Sequence, residues 1–183
     1  VVCPASLVYN WENEFAQFAP ELKIMTAAGN QAEREEMFAA CEKERPDVII
    51  TSYDLLKRDI LWYHEKEFRF EIIDEAQYIK NSSTQAAKSV KAVPARTRFA
   101  LTGTPIENHL GELWSIFDFL MPGFLFTYSR FRKQFELPIA KAGDRYALES
   151  LRRLSGPFIL RRLKKDVLKD LPDKLETVVY SMA

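Results

Sequence analysis

The stretch Ile72-Ile73-Asp74-Glu75-Ala76-Gln77 decides the fold, because it runs an apolar strand directly into two adjacent carboxylates. We predict that strand over residues 68–74. Neighbouring residues of an extended chain point to opposite sides, so Asp74 can face a metal ion while Glu75 faces a phosphate. This is the Walker B arrangement of nucleotide hydrolases. An isolated Asp-Glu pair is also typical of a solvated turn, so the surrounding sequence has to decide between the two interpretations.

Outward from that strand, short apolar runs alternate with helical segments as far as residue 120. We predict strands over residues 1–3, 22–26, 47–51, 68–74 and 98–101, and helices after Ser6 and over residues 31–45, 54–60, 83–90 and 112–120. Such alternation builds right-handed units and a parallel sheet that helices cover on both faces. Beyond residue 120 the pattern is mainly helical, at 128–135 and 145–154, with a strand-like run at 175–180.

Spacing assigns several side chains to positions within these elements. Ser6 is predicted to cap the first helix. Arg69 and Glu71 depart from the apolar run expected of a central strand, so we expect them where the strand begins, near the edge of the sheet. The residues predicted to face the core are Trp11, Phe15, Phe18, Met37, Phe38, Cys41, Trp114, Phe117, Phe119 and Phe124.

Polar or turn-forming residues follow four of the predicted strands, at positions 4–6, 51–54, 74–77 and 102–105. The carboxyl ends of parallel strands meet at one edge of a sheet, which is where ligands bind in open α/β folds. The sequence therefore predicts one functional rim built from separated pieces of chain.

The composition excludes several classes of protein. An apolar fraction of 47% is enough for a buried core. Cys3 and Cys41 form no Cys-x-x-Cys pair, which argues against a disulfide scaffold or a zinc site and favours an intracellular compartment. No apolar run reaches membrane-spanning length, so we expect no membrane partner. The net charge is zero, yet residues 1–50 hold nine acidic and four basic residues, and residues 151–174 hold eight basic and three acidic. The second segment is a basic patch of the kind that matters for nucleic acid.

The chain resembles the Swi/Snf family of chromatin-remodelling and DNA-repair ATPases, within the superfamily-two helicases. The resemblance runs nearly end to end, in order and at family-like spacing. The motifs that carry it are Cys3-Pro4-Ala5-Ser6-Leu7 with Asn10-Trp11-Glu12 (motif Ia), Ile50-Thr51-Ser52-Tyr53-Asp54 (motif Ib), Asp74-Glu75-Ala76-Gln77 (motif II), Leu101-Thr102-Gly103-Thr104-Pro105 (motif III) and Pro157-Phe158-Ile159-Leu160-Arg161-Arg162. The resemblance implies a RecA-like fold of the P-loop NTPase type, a parallel sheet flanked by helices, over residues 1–125. A mainly helical extension at 126–183 would lead toward a second lobe.

The same resemblance implies roles for individual residues of motifs II and III. Asp74 would position Mg²⁺ indirectly, Glu75 would be the general base, and Gln77 would sense the nucleotide. The motif III residues that would couple the nucleotide state to the grip on DNA are Thr102, Gly103 and Thr104. ATP and Mg²⁺ are the implied cofactors of the complete protein.

Double-stranded DNA is the implied partner. The residues that would contact the phosphates of one strand are Pro4, Ala5, Ser6, Thr51 and Ser52. Ser6 precedes a predicted helix, whose positive end can meet a phosphate, and such contacts are independent of base sequence. For Thr51 and Ser52 taken alone, a turn at the end of a strand is the simpler interpretation. Arg161 and Arg162 directly follow an apolar stretch, and we assign them a structural or DNA-facing role.

No phosphate loop of the form Gly-x₄-Gly-Lys-Ser/Thr occurs in the chain, and no glycine is followed by lysine. In the family this loop lies shortly before motif Ia, and arginine fingers come from the second lobe. We therefore expect a first lobe without its first strand and phosphate loop, with negligible ATPase activity of its own. The sheet edge that a missing strand leaves open is expected to favour self-association.

Three functions compete for this sequence. The first is a DNA-dependent ATPase that moves along duplex DNA and remodels the proteins bound to it. The second is a non-catalytic module, derived from a helicase lobe, that docks onto DNA or protein. The intact Asp74-Glu75 pair and the intact motif III count against it. The third, a nucleotide kinase or GTPase, has no place for motif III or for residues 157–162, so the sequence favours the first.

Overall fold

A computed structural model describes residues 1–103 and 110–162 of the chain. Its first compact unit is Val1–Leu137, and it contains a sheet of five strands. They are β1 (Val2–Cys3), β2 (Ile24–Ala27), β3 (Val48–Ser52), β4 (Phe68–Ile73) and β5 (Ala95–Ala100). Their order is β2-β3-β1-β4-β5, and every neighbouring pair is parallel. The predicted α/β fold with a parallel sheet is confirmed.

Helices connect the strands. In the first unit they are α1 (Val8–Phe18), α2 (Gln31–Glu44), α3 (Tyr53–Arg58), α4 (Ile60–His64), α5 (Gln85–Ala92), α6 (Leu110–Leu120) and α7 (Tyr128–Phe131), with 3₁₀ turns at Ala5–Leu7 and Ala76–Ile79 and a π-helical turn at Arg132–Glu136. Two further helices, α8 (Leu137–Ala142) and α9 (Arg145–Ser155), precede a 3₁₀ turn at Gly156–Phe158. The second unit begins at Pro138, and its described part is helical as predicted. The predicted division at residues 125 and 126 stays a prediction.

Apolar side chains form a core on each face of the sheet. Val2 and Ile73 belong to the larger cluster, together with buried residues of α3, α5 and α6. Cys3, the residue after Val2, points to the opposite face, where it packs with Val8 and Ile50 beneath α1. Helices therefore pack on both faces of the sheet, as the alternation of strands and helices predicts, with the second core lying over β1 and β3.

The start and the end of α1 differ from the prediction. Leu7, and not Ser6, occupies the position before the first helical residue, and it makes no side-chain cap. Ser6 lies instead in the 3₁₀ turn, which the hydrogen bond from Leu7 N to Pro4 O closes at 2.9 Å. Phe18 was expected to face the core but is 72% exposed, because it is the last residue of the helix, and Phe15 is the last α1 side chain in the cluster beneath.

The helix predicted over residues 54–60 is two helices, with Asp59 between them. Arg34 of α2 explains the break, because its guanidinium donates to both carboxylate oxygens of Asp59, at 2.6 and 3.1 Å. Arg34 is only 4% exposed. A buried arginine needs a partner of opposite charge, and the turn at Asp59 supplies one.

The prediction that Glu71 lies near the edge of the sheet is wrong. It lies within β4, between β1 and β5, and is 4% exposed. Arg98 stands beside it on β5 in the same register and donates from Nε to Glu71 Oε2 at 3.1 Å. The carboxyl group that departs from the apolar pattern is therefore buried inside the sheet, where it accepts a hydrogen bond from Arg98.

The aromatic residues of the α6 region were expected in the core. Trp114, Phe117 and Phe119 are buried, and the ring of Phe124 stacks on Phe117 at a centroid distance of 5.9 Å. Thr104 and the strand-like run at 175–180 lie outside the described residues. None of the helices in the described part of the chain is both long and apolar enough to cross a membrane.

Candidate active site

The adjacent carboxylates Asp74 and Glu75 follow the last residue of β4, at the carboxyl edge of the sheet. Backbone hydrogen bonds hold this point from both sides. Asp74 N donates to Val2 O of β1 at 2.8 Å, and Leu101 N, just after β5, donates to Ile73 O at 2.8 Å. Backbone hydrogen bonds alone therefore fix the position of this strand end.

Both side-chain oxygens of Asp74 accept a hydrogen bond. Oδ1 accepts from the backbone amide of Glu75 at 2.8 Å, and Oδ2 accepts from the indole Nε1–H of Trp11 at 2.9 Å. A carboxylate oxygen has two lone pairs, so each oxygen retains capacity for one more donor or for a metal-bound water. Sequence reasoning assigned Trp11 to the core and missed this contact, because nothing in a local pattern relates residue 11 to residue 74.

Glu75 has a left-handed backbone, with φ 51° and ψ 56°. A residue other than glycine is uncommon there, and such conformations concentrate at functional sites. The left-handed residue turns the chain out of β4 into the 3₁₀ turn Ala76–Ile79. The two carboxylates have separate side-chain partners, since Asp74 accepts from Trp11 and Glu75 accepts from Gln77.

Gln77 links motif II to motif III through both ends of its amide. Its Nε2 donates to Glu75 Oε2 at 2.6 Å, and its Oε1 accepts from the hydroxyl of Thr102 at 3.0 Å. The two bonds together define the orientation of the amide. The structure thus brings together four of the residues that the sequence placed at one rim: Asp74, Glu75, Gln77 and Thr102.

Tyr53, which follows β3 directly, also contacts this strand end. Its hydroxyl donates to the backbone oxygen of Asp74 at 2.8 Å, and its ring stacks on Tyr78 at 5.0 Å with an interplanar angle of 7°. Burial raises the pKa of Tyr53 well above its usual range, so the hydroxyl stays protonated and remains a donor. Only its position after a strand could have pointed to it in the sequence.

The five residues predicted to contact DNA differ in exposure. Ala5 and Ser6 are exposed in the 3₁₀ turn before α1. Pro4 is buried, and Thr51 and Ser52 are each 2% exposed. Ser52 accepts from Leu55 N at 3.3 Å and so caps α3. A phosphate could therefore reach Ala5 and Ser6 in this structure.

Four further residues belong to the predicted site. Gly103 is exposed next to Thr102, and Thr104 is outside the described residues. Arg161 and Arg162 are exposed and belong to the second unit.

A family model described as the SNF2-related domain matches residues 1–182. The chain belongs to the SNF2-related family. It is 44% identical over 186 residues to TATA-binding protein-associated factor MOT1 of Saccharomyces cerevisiae, with 96% of this chain and 10% of that protein covered. It is 42% identical over 180 residues to an uncharacterised ATP-dependent helicase of Mycoplasma genitalium, with 98% of this chain and 17% of that protein covered.

A solved structure shares the fold of this SNF2-related domain. The Sulfolobus solfataricus SWI2/SNF2 ATPase core in complex with double-stranded DNA superposes with a TM-score of 0.82 and 45% sequence identity, over 96% of this chain and 36% of that one. The RecA-like fold that the sequence predicts is thereby confirmed. The chain spans about a tenth to a sixth of the two curated relatives named above and about a third of the solved core.

The oxygen donors of the SNF2-related domain suit Mg²⁺. Proteins commonly bind this ion through one or two carboxylates, with waters and substrate phosphates completing the shell. Asp74 and Glu75 supply two carboxylates at the strand end, and among the described residues each oxygen of Asp74 accepts one hydrogen bond. Among the described residues, no cluster of three or more His, Cys, Asp or Glu could hold a metal ion by itself. Two carboxylates that leave room for further ligands are a donor set that Mg²⁺ accepts.

Proposed function

We propose that this chain is the first motor lobe of an ATP-dependent translocase, which moves along duplex DNA and remodels the proteins bound to it. The observation that carries the proposal is the hydrogen-bonded series from Asp74 through Glu75 and Gln77 to Thr102. It joins two carboxylates to motif III at the carboxyl edge of a parallel sheet. The similarity to an ATPase core in complex with double-stranded DNA supports duplex DNA as the partner.

Each residue of the series has a chemical task in this proposal. Bound Mg²⁺ would neutralise the charge that develops on the transferred phosphoryl group. Asp74 would hold this ion, either directly or through a bound water. Glu75 would take the proton of the attacking water, and Gln77 orients its carboxylate by donating to Oε2. Gln77 would sense whether a nucleotide is bound. Through its hydrogen bond with Thr102 it would transmit that change to motif III, which includes Gly103 and Thr104.

The proposed DNA contact begins at the exposed turn before α1. Ala5 and Ser6 would meet the phosphates of one strand, and the buried Pro4, Thr51 and Ser52 would hold that turn and the end of β3 in place. Contacts of this kind position a protein on DNA without reading bases, which suits a motor that has to act on any sequence. Arg161 and Arg162 are further candidates for phosphate contact.

The chain alone is proposed to hydrolyse ATP negligibly. Its sequence holds no phosphate loop to cradle the nucleotide. An arginine finger, which contributes about 10³–10⁵ in rate, would come from a second RecA-like lobe. The natural protein would combine these parts.

The decisive substitution is Glu75→Gln in the natural protein that carries this chain. We expect duplex DNA to stimulate ATP hydrolysis by the wild type. Loss of the general base should lower kcat by about 10²–10⁴, while ATP binding, measured by equilibrium titration, stays within about twofold of wild type because glutamine keeps the shape of the side chain.

Glu67→Gln is the matched control, because Glu67 lies just before the opposite end of β4 with its side chain 83% exposed. It should hydrolyse ATP like the wild type. Turnover that survives in Glu75→Gln would remove the proposed mechanism.

A further inference from the structure

Trp11 reaches Asp74 from a distant part of the chain. Its Nε1–H donates to Asp74 Oδ2 at 2.9 Å, across 63 positions of sequence. The second oxygen, Oδ1, accepts from the amide of Glu75, the very next residue. One donor is therefore local to the strand end, and the other is delivered by α1.

The Trp11 ring is held firmly enough to act as a fixed donor. It packs against the cluster formed by Cys3, Val8 and Ile50, and its centroid lies 5.8 Å from that of Phe15. An indole can only donate, through its single N–H. The torsion that rotates an aspartate carboxylate is intrinsically broad, so a fixed donor on Oδ2 restricts it to one orientation.

We propose that Trp11 is a positioning residue for the metal-binding function of Asp74. It orients the carboxylate so that the free lone pairs of both oxygens face the water ligands of Mg²⁺. The inference rests on the proposed function, because it needs Asp74 to hold the ion. Under this inference a residue of motif Ia supports the metal-binding residue of motif II. In metal sites, groups that orient the ligands typically contribute 10–100-fold to metal affinity.

The competing explanation is purely structural: the indole N–H takes the nearest acceptor and only helps to anchor α1. Under that explanation, loss of the N–H would lower the stability of the fold, and any effect on ion binding would be independent of Asp74. The two explanations therefore differ in whether Trp11 and Asp74 act through each other.

A double-mutant cycle on the natural protein separates them. Mn²⁺ serves as the probe for Mg²⁺, in the presence of a non-hydrolysable ATP analogue, and its dissociation constant is measured by electron paramagnetic resonance. We expect Trp11→Phe, which keeps a ring but loses the N–H, to raise that constant about tenfold. In the Asp74→Asn background the same substitution should change it by less than about twofold.

Trp114→Phe is the matched control. Trp114 also donates through Nε1, but to the backbone oxygen of Phe126 at 3.1 Å and not to a carboxylate. It should leave the Mn²⁺ constant unchanged at a comparable loss of thermal stability. Wild-type affinity in Trp11→Phe, an equal loss in Trp114→Phe, or additive losses in the double variant would each overturn the inference.

A second measurement covers the case in which Trp11→Phe does not fold. With 5-fluorotryptophan incorporated, the ¹⁹F signal of Trp11 should shift when Mg²⁺ and the analogue are added to the wild type, and should not shift in Asp74→Asn. No shift in a wild type that binds the ion would overturn the inference. A wild type that binds no Mn²⁺ with the analogue and hydrolyses no ATP would overturn the proposed function instead.

Discussion

At the scale of single residues, Arg98 shows how one side chain joins several elements. Besides its contact to Glu71, its terminal nitrogens donate to the backbone oxygens of Phe119, Lys91 and Val93 at 3.0–3.1 Å. Its guanidinium carbon also lies 5.2 Å from the centroid of the Phe119 ring. This guanidinium therefore connects β5 to β4, to the end of α5 and to α6.

Glu71 is less well compensated than its partner. Its Oε1 has no hydrogen-bond partner among the described residues. Burial raises the pKa of Glu71 from its ordinary 4.5 to about 8, although the positive charge of Arg98 opposes the change. The folded state therefore prefers this carboxyl protonated, and its ionisation destabilises the fold.

The pH dependence of stability should reveal this carboxyl. A pKa raised in the folded state means that the folded chain binds more protons than the unfolded chain between pH 4.5 and about 8. The free energy of unfolding falls as pH rises through that window. A pKa that differs by one between the folded and unfolded states corresponds to about 1.4 kcal/mol, so we expect wild type to lose at least that much relative to Glu71→Gln between pH 5 and 8.

Urea unfolding of the two proteins at matched pH measures the difference. Glutamine is uncharged throughout the window, and Arg98 keeps its three backbone acceptors in both proteins. Parallel stability curves for the two proteins would contradict the raised pKa.

At the scale of elements, α2 begins at a side-chain cap. The side chain of Asn30 accepts from Glu33 N at 3.1 Å, and Glu33 Oε2 accepts from Asn30 N at 2.7 Å, which is a capping box. At the other end Arg45 takes the left-handed conformation, with φ 46°. The capping box therefore fixes where the helix begins.

Removing the cap tests how much α2 contributes. Asn30→Ala deletes the side-chain acceptor at the helix start and should lower the free energy of unfolding by about 1 kcal/mol. Glu36→Ala, an exposed change within the same helix, should shift it by less than about 0.5 kcal/mol. Chemical denaturation compares the three proteins, and equal shifts in the two variants would show that the cap has no special weight.

At the scale of the whole molecule, the sheet presents an apolar surface beside a strand with one neighbour. In the sheet as described, β5 pairs with β4 alone. Phe70 and Phe99 lie on the face opposite the one where Glu71 and Ile73 are buried, their ring centroids are 6.1 Å apart, and they are 50% and 47% exposed. Unpaired strand edges with apolar neighbours promote association.

We therefore expect the 183-residue chain to self-associate as its concentration rises. Phe99→Lys places a charge beside the open edge and should shift the molecules toward monomer. Leu61→Lys, at a residue of α4 that is 79% exposed, should leave the association unchanged. Size-exclusion chromatography with light scattering gives the mass, and a monomer at every concentration would disprove the expectation.

Much of the fold was predictable because its signals are local. Alternating apolar runs and amphipathic segments locate strands and helices to within a few residues, and the polar residues after each strand identify the rim. The errors occurred where a local signal met a competing turn or a partner that is distant in sequence. Ser6 resembles a helix cap, but a 3₁₀ turn precedes the helix, and Asp59 interrupts a helix to meet a buried arginine.

By itself the sequence determined the parallel α/β fold, the family and the place of Asp74 and Glu75 at the end of a strand, since each depends on neighbouring residues. Only the tertiary structure decided that Trp11 donates to Asp74, that Arg98 accompanies Glu71, and that Thr51 and Ser52 are buried. Each of these depends on residues that are far apart along the chain and meet only when the strands align. Local sequence patterns cannot predict these contacts, because tertiary packing determines which distant residues come within hydrogen-bonding distance.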